Sequence, residues 1–124
     1  MANIDGPITC SVQGTARTFT GFGFTPTHLD FEVVVKSNSG AIQQRCIGSV
    51  DSGGYMQYHY SFDDGTTIDS SAGTDRCIFM KEKVSGVLTE VLRATFHSFT
   101  SDGFKLNVTT ASGSYPVHVK ATNV

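Results

Sequence analysis

The sequence predicts an all-β fold: a single antiparallel β-sandwich, jelly-roll-like, of about eight strands spanning residues 1–124. Three observations lead there. Runs of six to nine residues alternate between apolar and polar, which sets one wet face against one dry face. Gly, Ser, Asp and Pro clusters punctuate those runs roughly every ten residues, the spacing of short strands in a sandwich. The chain is also poor in helix formers, with only 16% charged residues and 13 glycines. Its 124 residues suit one domain with a core large enough to stand without staples.

Taken in order, "ITCSV" places Ile8, Cys10 and Val12 on one face. "HLDFEVVVK" alternates Leu29, Phe31, Val33 and Val35 against Asp30, Glu32 and Lys36. "QRCIGSV" is short and ends at Asp51-Ser52-Gly53-Gly54, a turn. "YMQYHYSF" sets Met56, Tyr58, Tyr60 and Phe62 inward against Gln57, His59 and Ser61. Residues 63–75, rich in Gly, Ser and Asp, read as a loop before "CIFMKEKV". Residues 87–92 have some helical spacing, but Gly86 precedes them and Val and Thr dominate the continuation. At period two Leu88, Leu92, Ala94 and Phe96 share a face, with Glu90 among them, so a strand is expected and a helix is the competing reading. In "FHSFTSDGFKLNVTT", Ser101-Asp102-Gly103 is a turn between two strands. Gly103 is expected to take a backbone angle other residues resist, and Asp102 to bond local amides. Phe99 and Phe104 flank it and plug the end of the core. "YPVHVKAT" closes the fold, joined to the preceding strand by "ASGS" as a hairpin, with Pro116 tolerated near its beginning.

Charge and composition narrow the function. The net charge of −2 offers no basic field for a nucleic-acid backbone, and no polybasic segment suits a membrane surface. No run approaches the ~20 apolar residues of a membrane-spanning helix. "MANIDGPITC" has neither the basic nor the apolar region of a secretory signal, so cytosolic synthesis is expected. Cys10, Cys46 and Cys77 lack the close pairing of zinc ligands and are expected to be reduced packing residues.

The residues with chemical potential are few. No nucleophile elbow occurs, and "DSGG" is a turn rather than a serine-protease loop. His59 with Asp63 and Asp64, or His97 with His118 if their strands adjoin, have metal-ligand chemistry, but each falls on a wet face or loop where solvation explains it. "SFDDGTTIDSS" lacks the register of a calcium loop. Asp30 and Glu32 keep an exposed face soluble. The "NVT" sequon at Asn107 falls inside a strand and is expected to be silent. "GFGF" leads into Thr-Pro, not into a phosphate-binding helix. No catalytic residue, metal or cofactor is therefore assigned, and the chain is expected not to be an enzyme. The alternative is a lectin-like carbohydrate-binding module using Tyr55, His59, Asp63 and Asp64, because tyrosine presents an amphipathic ring to sugars. The absence of Trp weakens that platform.

Two stretches carry more than fold. In "GFGFTPTHLDFEVVV" the Gly23-Phe24-Thr25-Pro26 turn leads to Leu29 and Phe31. In "ATFHSFTSDGFKLNVTTASGSYPVHVKA" Phe99 and Ser101-Asp102-Gly103-Phe104 lead to Leu106 and Asn107. Together they resemble a module of tailed-phage and prophage virion structural proteins, in which a Gly-Phe-x-Pro turn opens a strand and a later Ser-Asp-Gly-Phe hairpin precedes the closing one. The order and spacing cover most of the chain. The chain departs from the pattern in its three cysteines, its lack of an aromatic-rich closing strand and its lack of fibrous extensions, which favours a small component over a tail fibre. The resemblance implies a virion structural role in capsid decoration or the tail. The partners it implies are copies of the chain, a trimer being one form, and other virion proteins. No nucleic acid or membrane is expected, and a host glycan is the alternative ligand. Val34 and Val91 interrupt polar faces and are expected to be buried on assembly.

Overall fold

A computed structural model describes residues 3–11, 13–36 and 43–123. These form ten strands and no helix: β1 (Asn3–Cys10), β2 (Gly14–Phe19), β3 (His28–Lys36), β4 (Gln43–Val50), β5 (Met56–Asp63), β6 (Ile68–Gly73), β7 (Ile78–Val84), β8 (Val87–Thr100), β9 (Gly103–Ala111) and β10 (Tyr115–Thr122). A six-stranded sheet runs β1-β10-β3-β4-β5-β6 and a four-stranded sheet runs β2-β9-β8-β7, all pairs antiparallel. The fold is thus a two-layer β-sandwich, as the alternation predicts, and residues 87–92 are strand.

Alternation builds the core directly. From the six-stranded sheet Leu29, Phe31, Val33, Cys46, Val50, Tyr58, Tyr60, Phe62, Val117, Val119 and Ala121 point inward and are buried. They meet Ile78, Met80, Leu92, Ala94, Phe104, Leu106 and Val108 of the other layer. Cys10, Cys46 and Cys77 are free thiols and all buried, in keeping with packing roles. Val12 lies outside the described residues, and so do the side chains of Val34 and Val35.

Four expectations are corrected. The count rises because β2 and β6 are strands, the latter inside the segment read as a loop. Both are edge strands whose residues alternate only between exposed and half-buried, so no apolar periodicity marks them. "ASGS" is not a hairpin: β9 and β10 belong to different sheets, and the segment crosses between layers. Val91 is buried within the chain itself, 2% exposed, because it is the extra residue of a bulge in the β7–β8 pairing, between Glu90 opposite Lys81 and Leu92 opposite Met80, which turns it into the core. Gly103 does not occupy the left-handed region. Its value is steric, since a Cβ there would overlap the Phe19 carbonyl oxygen.

β7 shows how the sandwich closes along one side. Its free edge meets the inner face of β4 and β5 end-on. The Phe79 amide reaches the Cys46 thiol, and the Lys81 amide reaches the Tyr60 hydroxyl. Gly48 leaves room for the Cys77 carbonyl, which a methyl group would strike. An edge that would otherwise offer unpaired backbone groups is thereby covered. The β7–β8 hairpin turns on Ser85 and Gly86, both with positive φ (52° and 81°), the conformation a tight two-residue turn requires.

Candidate functional site

The two stretches that carry the family resemblance meet in space. The hairpin tip between β8 and β9 projects Asp102 into the loop that joins β2 to β3. Its carboxylate accepts the Gly21 amide at 3.0 Å and the Gly23 amide at 2.7 Å. Its backbone carbonyl accepts the Phe22 amide at 3.1 Å. Three consecutive amides thus converge on one residue some eighty positions away, two on its carboxylate and one on its carbonyl. Gly21 (φ 95°) and Gly23 (φ 78°) make the loop because side chains there would be strained. The Gly21 amide, then the Gly23 amide, hold the Asp102 carboxyl below its ordinary range.

Beneath this clasp an aromatic cluster closes the end of the core. Phe104 is fully buried, and its ring lies 5.3 Å from Phe19, 5.4 Å from Phe22 and 5.8 Å from Phe31. Phe99 pairs opposite Phe104 and packs with Phe96, partly buried. Pro26 is buried, and the next residue, Thr27, donates its amide to the Thr122 carbonyl, tying the loop to the end of β10. Gly23, Pro26, Asp102 and Gly103 therefore form one structural unit. Asp102 acts on distant amides, not on local ones as its turn position suggests.

The four residues of the glycan-binding alternative, Tyr55, His59, Asp63 and Asp64, do not converge. Tyr55 precedes β5 and is 79% exposed, while Asp63 ends it, so the two lie about 26 Å apart along an extended strand. His59 sits between them on the outer face. Asp63 and Asp64 shape the β5–β6 turn: Asp63 accepts the Gly65 amide, and Asp64 accepts the Thr66 and Thr67 amides and the Thr66 hydroxyl. Lys83 pairs with Asp64, and this contact, followed by the Thr67 and Thr66 amides, holds the Asp64 carboxyl well below the usual carboxylate range. Asp51 likewise caps its own turn, accepting the Gly53 and Tyr55 amides.

The metal-ligand candidates separate as well. His97 is on β8 and His118 on β10, in different sheets, so their strands do not adjoin. His118 is beside Asp5, and His97 beside the Ser98 hydroxyl. Among the described residues no group of three or more His, Cys, Asp or Glu side chains is arranged to hold a metal ion. Asn107, the sequon residue, turns its amide oxygen to the Ala16 backbone N–H at 2.9 Å, where β2 bulges.

What the register does assemble is a continuous outer face on the six-stranded sheet. Pro7, His118, Glu32, Ile47, His59 and Ala72 lie side by side across all six strands. Ile47, at the centre, is 43% exposed. Glu32 is neutralised by Arg45 at 2.7 Å across the β3–β4 pair. A shallow, open depression lies between Pro7, Glu32, Pro116 and His118. Small polar side chains, Ser49, Gln57, Ser61 and Ser70, fill the neighbouring rows. Such a face suits broad contact rather than enclosure of a small ligand. Ile47 was hidden in the sequence by the short, broken alternation of "QRCIGSV". Comparison with protein-family models, with characterised proteins and with solved structures found no match to this chain.

Proposed function

We propose that the chain is a non-enzymatic structural component of a tailed-phage virion, in capsid decoration or the tail, that acts by self-association and by docking on the particle. The observation that carries this reading is the clasp. The Gly-Phe-x-Pro turn and the Ser-Asp-Gly-Phe hairpin, on which the resemblance rests, are bound to each other through Asp102 and share the Phe104 cluster. They are one device of the fold and not two isolated turn idioms. The broad outer face centred on Ile47 supports it further, as a surface fitted to protein contact. In this reading the protein is made in the host cytoplasm and resides in the virion.

The test is association with particles. Antibodies raised against the purified chain should label tailed-phage particles induced from a strain that carries the gene, and the chain should sediment with them. Absence from purified particles refutes the proposal. The exposed ring of Tyr55 favours a second reading, a glycan-binding module. A monomeric chain that binds a glycan array, and loses that binding on Tyr55→Ala, would replace the structural reading.

A further inference from the structure

The four sheet edges differ in what they offer to a neighbour. β7 is covered by Cys46, Gly48 and Tyr60 of the opposite layer. β2 is broken by a bulge between Gly14 and Arg17, with Ala16 at φ 54° and its amide already bound to Asn107. β1 carries Pro7, which has no N–H to donate. β6 alone among them has neither proline nor bulge, and it stays in regular register with β5 from Ile68 to Gly73. Its free edge offers an uninterrupted row of backbone donors and acceptors.

The outward-facing side chains of β6, Ile68, Ser70 and Ala72, also carry no charge to defend the edge. Its one charge, Asp69, faces inward and is paired with Lys81 at 3.0 Å. Lys83 holds Asp64 in the turn before it, so two β7 lysines fix the strand from behind. Outward, Ser70 and Ala72 are small, and Ile68 is 80% exposed.

We infer that β6 is a docking edge for a second copy of this chain, pairing antiparallel with its own β6 to extend the six-stranded sheet across a two-fold axis. A two-fold perpendicular to the sheet pairs residues on the same face, so the axis passes beside a single residue. Centred on Asp69, it sets two like charges opposite each other, which is unfavourable. Centred on Ser71, it leaves Ile68 uncovered. Centred on Ser70, it places Ile68 against the partner's Ala72, Asp69 against the partner's Ser71, and the two Ser70 side chains together. Apolar meets apolar and carboxylate meets hydroxyl. The mode is strand addition at a sheet edge, with the backbone giving affinity and the side chains giving register. The inference rests on the self-association in the proposed function, and it names the surface.

Directly opposed Cα atoms of an antiparallel pair are about 4.5–5.5 Å apart, within disulfide range. Ser70→Cys should therefore give a disulfide-linked dimer under mild oxidation. The three native thiols, all buried, leave the new one as the reactive site. Ala72→Cys should not cross-link, because the two copies of residue 72 stand about 14 Å apart along the strands. In sizing by light scattering, Ser70→Lys should shift the assembled form toward monomer while the far-ultraviolet circular dichroism stays unchanged. If the wild type assembles, Ser70→Lys leaves it unaltered and Ser70→Cys does not cross-link, the β6 edge is refuted while self-association through another surface stands. A monomeric wild type whose Ser70→Cys form cross-links no faster than Ala72→Cys refutes both. Cross-linking by Ala72→Cys in place of Ser70→Cys refutes the register on which the inference depends.

Discussion

Phe104→Ala is the perturbation on which the account of the core can fail most clearly. The ring is fully buried and touches Phe19, Phe22 and Phe31, three aromatics from three different segments. Truncating a buried Phe to Ala costs about 3–5 kcal/mol, from lost transfer energy and the cavity left behind. The site stands at the upper part of that range, because each aromatic pair contributes roughly 0.5–1.5 kcal/mol beyond its area. Collapse to fill the space is opposed by the clasp, which fixes Phe22 through its backbone amide. Against the about 5–15 kcal/mol of an ordinary domain, the loss is a large share. For 124 residues the unfolding entropy is about 0.26 kcal/mol/K, so the melting temperature should fall by about 12–19 °C. The assay is equilibrium urea unfolding followed by far-ultraviolet circular dichroism, with Phe22→Ala as the comparison. Phe22 is half-buried and should cost about 1–2 kcal/mol. A Phe104→Ala penalty below about 1.5 kcal/mol, or one no larger than that of Phe22→Ala, refutes the idea that Phe104 organises this end of the sandwich.

Three further outcomes are expected. Gly48→Ala should cost about 3 kcal/mol or more, because the methyl meets the Cys77 backbone carbonyl, which cannot rotate away; a near-neutral urea midpoint would contradict the end-on approach of β7. The Asp102 carboxyl is depressed in the folded state, so its contribution is present above the ordinary value of 3.8 and is lost as pH falls through the lower native value. Urea midpoints of the wild type should therefore drop below about pH 4, and Asp102→Asn should flatten part of that decline, the rest coming from Asp64 and Asp75, which shift in the same direction. Burial pushes the Cys10 and Cys46 thiols up to about 11 and raises Cys77 as well. The native protein should thus resist a thiol-specific disulfide reagent at about pH 8, and all three should react in denaturant. Rapid reaction of the folded chain would contradict their burial.

The parts of the fold legible in the sequence are those where burial acts on alternate residues. β3, β5, β9 and β10 show this, with Leu29, Phe31, Tyr58, Tyr60, Leu106 and Val117 all inward as their period requires. β6 was hidden because an edge strand has little core to face, and "IDSSAG" has the composition of a loop. The passage from β9 to β10 was misread because turn residues specify a reversal of direction but not the sheet in which the next strand pairs. Val91 escaped because a bulge changes phase without a mark in the alternation. The candidate site was legible residue by residue but not as a whole. Asp102 and Gly23 were each recognisable as turn formers, yet their union, with Gly21, is a contact over some eighty residues, which no local pattern records. Whether His97 and His118 adjoin was open in the sequence for the same reason, since only topology assigns them to opposite layers.

The pairing of β1 with β10 has a consequence for how this domain can be carried. Asn3 lies opposite Thr122 in that pair, so chain arriving at β1 and chain leaving β10 pass through the same corner of the sandwich. A polypeptide joined at either side would meet its counterpart at the entry point, with the body of the domain standing away as a lateral knob. That geometry would let the domain be placed in a loop of a host protein by engineering without prising the host apart. It is equally suited to circular permutation, with a short linker across the corner and new ends opened at the exposed Ser52–Gly53 tip between β4 and β5.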